Sequence, residues 1–68
     1  MFTEEEEYLL HMLGATTRGQ AIDRLRSFMS TIVDTDYIRL SLRTLRKIEK
    51  ISDAEFALVL WEMERQDL

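Results

Sequence analysis

The sequence predicts an all-α protein, a compact bundle of three to four helices, on three observations. It contains no proline and only two glycines, Gly14 and Gly19, whereas a β-rich domain needs turn residues at several hairpins. Its apolar residues recur at helical spacing in four segments. Three of those segments open on a helix-capping pattern, Ser or Thr followed three residues later by Glu or Gln: Thr3–Glu6, Thr17–Gln20 and Ser52–Glu55.

The first helix is expected over residues 4–13. Thr3 can accept from the Glu6 amide while the Glu6 carboxylate returns the bond, and Glu4 to Glu7 together suit the positive end of the helix dipole. Tyr8, Leu9, Met12 and Leu13 are expected to form its inner face, and Gly14 to end it. A second helix is expected over 18–32, capped by Thr17 with Gln20. Ala21, Ile22, Leu25, Phe28, Met29 and Ile32 make its apolar stripe, and Gln20, Asp23, Arg24, Ser27 and Thr31 its wet side. Asp34-Thr35-Asp36 breaks the chain and supplies a cap for a third helix over 36–50, whose expected inner stripe is Ile38, Leu42, Leu45 and Ile48. The fourth helix, 53–66, starts at Ser52, with Ile51 and Phe56 placed as a hydrophobic staple. Phe56, Val59, Leu60 and Met63 lie on one side of it, and Ala54, Leu58 and Trp61 roughly opposite. A helix apolar on two sides is either central or offers one side to a partner.

With 68 residues the chain is expected to form a single domain, residues 1–68, with little room for a deep catalytic cavity. Its hydrophobic share of 46% is too high for the disordered class. The net charge of -4 argues against a general nucleic-acid binder. Absence of cysteine removes disulfides, thiolate metal sites and a cysteine nucleophile. The N-terminal Glu4–Glu7 run is the reverse of a secretory signal, and no apolar run approaches a membrane span, so a cytoplasmic location and no membrane partner are expected.

Catalytic and metal chemistry find little support in the residues. His11 is the single histidine, and with Glu7 one turn away it falls short of the three or four ligands of a defined zinc site. The glutamate run lacks the spacing and glycine of a calcium loop. Ser27, Ser30, Ser41 and Ser52 stand in no nucleophile elbow, and the two glycines match no phosphate-binding loop. No catalytic, cofactor-binding or metal residue is therefore assigned, and no cofactor is expected.

Charge is zoned instead. Residues 18–50 carry eight bases against four acids, and residues 51–68 five acids against one base. Arg39, Arg43, Arg46, Lys47 and Lys50 fall at i, i+4, i+7, i+8 and i+11, one sector of the third helix away from its apolar stripe. They are a candidate surface for a protein partner or for nucleic-acid phosphates. The same pattern also describes an ordinary solvated face paired loosely with the acidic helices. A helix-turn-helix reading is disfavoured, because Asp36 at the start of the third helix would repel phosphates. Leu58 and Trp61, one turn apart, are a candidate apolar contact if exposed. In so short a chain they are expected rather to close the bundle under the first helix.

The order of these pieces carries a resemblance. Met1-Phe2-Thr3 with its glutamates, Thr17-Arg18 opening a helix with Ile22, Leu25 and Arg26, and the Asp34/Asp36 turn come first. Leu45-Arg46-Lys47-Ile48-Glu49 and Ser52-Asp53-Ala54-Glu55-Phe56 follow. Over residues 1 to about 58 the arrangement resembles the small transposon-transfer assisting proteins of conjugative transposons in Gram-positive gut bacteria; the resemblance is not traced through Leu58–Leu68. The resemblance implies a mobile genetic element as context and an accessory role in transfer, and carries no catalytic or ligand residue with it. The expectation is a non-enzymatic accessory protein acting through protein–protein contact with the transfer machinery. The alternatives are a nucleic-acid-binding regulator using the basic face of the third helix, and a homodimer formed through the fourth.

Overall fold

The computed structural model describes residues 2–66. Among them are four helices, α1 Glu4–Leu13, α2 Arg18–Thr31, α3 Thr35–Glu49 and α4 Asp53–Gln66, and no strand. The all-α reading is thus met, with boundaries within one residue of those expected. The one-domain expectation over 1–68 also takes in Met1, Asp67 and Leu68, which lie outside the described residues.

Local hydrogen bonding explains the starts and stops. At α1 the Thr3 amide donates to Glu6 Oε1 at 2.7 Å and the Glu6 amide to Thr3 Oγ1 at 3.2 Å, a complete capping box. The box expected at α2 is split. The Gln20 amide donates to Thr17 Oγ1 at 3.1 Å, but the Gln20 side chain accepts from the amide and hydroxyl of Thr16, at 3.0 and 2.9 Å, not from Thr17. In α3 it is Asp34, accepting from the Asp36 and Tyr37 amides, that caps the helix, so it begins at Thr35. At α4 the box between Ser52 and Glu55 is complete, both bonds at 3.1 Å.

Two arginines then join helix ends across the fold. Arg24 Nη1 donates to the Leu13 carbonyl at 2.7 Å, beside Gly14, whose left-handed φ of 66° turns the chain out of α1. Arg18, at the start of α2, donates to the terminal carbonyls of α3 at Ile48 (3.0 Å) and Glu49 (3.2 Å), and Asp53 at the start of α4 lies 3.7 Å away. Carbonyls with no partner inside their own helix are thus satisfied by a neighbouring one.

The helices close around Leu9, Leu10, Ala15, Ala21, Leu25, Leu45, Ile48 and Phe56, with Phe2, Leu13, Ile22, Phe28, Met29, Leu40, Ile51, Leu60 and Met63 packed against them. α3 lies against both α1 and α2, and α2 also meets α4. The radius of gyration of 11.3 Å is close to the roughly 11 Å expected of a compact chain this long.

Two inner faces differ from those expected. On α1, Tyr8 and Met12 are exposed, and Glu6, Leu9 and Leu10 are buried with Leu13 half-buried. The apolar arc of α1 is wide enough for either orientation, and the attachment of Glu6 to α3 turns the 6–9–10–13 stripe inward. On α3, Leu42 is 39% exposed, and Ser41 and Thr44 are fully buried in the stripe with Leu45 and Ile48. Neighbours press on α3 from two sides, and small side chains let them approach. Thr44 satisfies its hydroxyl on the Leu40 carbonyl at 2.7 Å, while the Ser41 hydroxyl has no partner among the described residues. A buried orphan hydroxyl costs about 1 kcal/mol or more, so Ser41→Ala is expected to raise the denaturant midpoint without changing its slope. A lower midpoint would mean that the hydroxyl is bonded in solution.

Candidate functional site

The five basic residues of α3 do not form one uniform rail. Glu6 reaches across from α1, fully buried, and takes two of them: Lys47 Nζ lies 2.7 Å from Oε1 and Arg43 Nε 3.0 Å from Oε2. With the Thr3 amide also on Oε1, the carboxylate accepts three bonds. Burial alone would push its pKa up, but the bonds from Lys47, the Thr3 backbone and Arg43 outweigh it and hold the carboxyl below its ordinary value. The Lys47 ammonium also stands 5.9 Å from the centre of the Phe2 ring. Arg39, Arg46 and Lys50 are exposed and make no ion pair among the described residues. These three are the outward cations of the helix. They suit carboxylates or phosphates of a partner.

Leu58 and Trp61 stay 55% and 52% exposed, which corrects the expectation that they close the bundle under α1. Phe56 is fully buried, with Leu60 and Met63 half-buried against the core, and Leu58 and Trp61 lie toward the more exposed side of α4. Trp61 edges a cleft of about 370 Å³ against Leu10, His11 and Gly14, and the Arg65 guanidinium lies 4.7 Å from its ring centre. Half-exposed indole predicts fluorescence emission to the red of a buried tryptophan and ready quenching by acrylamide. Blue, unquenched emission would mean that the ring is covered.

The remaining candidates are apart. His11 is exposed, and no group of three His, Asp or Glu side chains able to hold a metal occurs among the described residues. Ser30 donates to the Ser27 carbonyl, Ser52 caps α4, and Ser41 is sealed in the core. No described helix is long and apolar enough to cross a membrane. Sequence reading missed three partnerships, those of Glu6, Arg18 and Arg24. A signal existed only for Glu6: it sits at i−3 and i−4 from Leu9 and Leu10, on the stripe that is buried.

The fold and its surfaces define a small four-helix, all-α protein whose notable side chains face outward rather than into a cavity. The chain belongs to the family described as Putative transposon-transfer assisting protein, which it matches over residues 2–60. The family's name points to a role in assisting transposon transfer. The matched span covers α1 to α3 and α4 as far as Leu60, so Trp61 falls just beyond it. No curated protein and no solved structure is found to match the chain significantly.

Proposed function

We propose that this protein is a non-enzymatic, cytoplasmic accessory factor of a conjugative transposon that assists transfer by binding another protein of the transfer machinery. The observation that supports this reading best is the half-exposed Leu58–Trp61 pair on the outer side of α4. Tryptophan is among the residues enriched at the energetic centres of protein interfaces, and Leu58 one turn away adds apolar area to it. The pairing of Arg43 and Lys47 with Glu6 also weakens the case for a phosphate-binding rail, because it offsets part of the charge such a rail would present.

Transfer frequency provides the test. Loss of the gene from its element is expected to lower transfer, and the intact chain supplied in trans to restore it. A folded Leu58→Ser/Trp61→Ser variant is expected not to restore it. A second reading, a nucleic-acid-binding regulator, is favoured only by exposed Arg39, Arg46 and Lys50. It would take over if those residues, changed to glutamate, abolished both complementation and salt-sensitive DNA binding while the Leu58/Trp61 variant still complemented. Transfer that is unchanged without the gene would remove both readings.

A further inference from the structure

On the side of the molecule where α1 and α3 begin, an open groove of about 470 Å³ is lined by Glu4, Glu5, Tyr8, Asp36, Tyr37 and Leu40. Neither sequence-derived surface includes it. Its floor is aromatic and aliphatic: Tyr8 is 64% exposed, Tyr37 44%, and Leu40 half-buried between them and the core. Tyr37 is held in place by the Phe28 ring, which meets it edge-on at 6.3 Å between centroids. Its rim carries three carboxylates and no base among the six lining residues. Arg39, next to Leu40 in sequence, is exposed but is not among the lining residues, and Arg43 pairs with Glu6.

We infer that this groove docks a basic, amphipathic segment of a protein partner. Charge complementarity selects the occupant. Glu4, Glu5 and Asp36 would pair with lysine or arginine heads, and the exposed tyrosine faces attract the same cations while covering their aliphatic stems. An acidic segment or a nucleic-acid phosphate would meet three like charges. The volume suits a few side chains of one segment rather than a whole domain. This inference deepens the protein-contact reading by giving the chemistry of a partner. Its test is binding in solution, so a failure here leaves the outcome of the transfer assay untouched.

The probe is a synthetic leucine–lysine amphipathic peptide, with a leucine–glutamate peptide of the same length as control, titrated into the isotopically labelled full chain and followed by amide chemical shifts. Shifts are expected to cluster at Glu4, Glu5, Tyr8, Asp36, Tyr37 and Leu40 with the basic peptide alone. Tyr8→Ala with Glu5→Gln, both at exposed positions, is expected to weaken Kd by about tenfold or more. Glu62→Gln with Glu64→Gln removes more charge on α4 but is expected to change Kd by about twofold or less. Equal losses in the two variants would reduce the effect to net charge and overturn the site. So would shifts centred on Leu58 and Trp61, no shifts at millimolar peptide, or groove shifts that appear on concentrating the chain alone, which would assign the groove to a second copy.

Discussion

Replacing Arg43 and Lys47 together by methionine is expected to unfold the protein at neutral pH and to let it recover structure on acidification. The parent should do the reverse. In the parent, the Glu6 carboxyl sits below its ordinary value near 4.5, so the unfolded chain binds protons more readily than the folded one as pH falls. The stability this provides is complete above about 4.5 and is lost as pH drops through the lower, folded value. Without the two cations the same carboxylate is buried with only the Thr3 amide bonded to it. Burial then raises its pKa, the folded state prefers the neutral acid, and stability falls as pH rises toward that raised value. Leaving a buried charge without its counter-charges costs about 3 kcal/mol or more, comparable with the roughly 3–5 kcal/mol a core this small supplies. The half-exposed cations themselves would be resolvated at little cost, so Glu6→Gln is expected to be the milder change. Far-UV circular dichroism against pH for parent, double variant and Glu6→Gln checks all three. A double variant that melts on acidification as the parent does would show that the ion pairs are incidental.

Phe56→Ala is expected to leave no stable fold at all. Phe56 is the largest fully buried side chain and stands where α4 meets the core. Truncating a buried phenylalanine costs about 3–5 kcal/mol, because the lost transfer energy is joined by that of the cavity left behind. Phe56→Leu keeps most of the volume and should cost about 1.5 kcal/mol or less. Leu58→Ala, two residues along the same helix but more than half exposed, should fall within about 0.5 kcal/mol of the parent. Urea unfolding of the three variants checks the ordering. Should Leu58→Ala prove as damaging as Phe56→Ala, the outer side of α4 would be buried in solution, and the contact surface proposed there would be lost with it.

Helix positions were legible because their determinants lie within a few residues of one another. Thr3 with Glu6 and Ser52 with Glu55 announce their helices in the letters themselves, and α4 separates cleanly into a Phe56–Leu60–Met63 side and a Leu58–Trp61 side. Faces were harder wherever the apolar arc was wide. On α1 any of five neighbouring apolar residues suits the interior, and the choice falls to a carboxylate whose partners are 37 and 41 residues away. On α3 a serine and a threonine displaced Leu42 from the stripe, because closeness between helices rather than hydrophobicity decided which residue fits.

The amino-acid order by itself therefore determined the helices, their caps and the family, all of which depend on short-range spacing and on residue identity. The tertiary structure alone decided that Arg43 and Lys47 pair with Glu6 while Arg39, Arg46 and Lys50 do not, that Arg18 ties α3 to α4, and that two tyrosines and three acids share one groove. A helical wheel gives each side chain a direction but not what it meets there. That is set by how neighbouring helices rotate to bury the most apolar surface without stranding a charge.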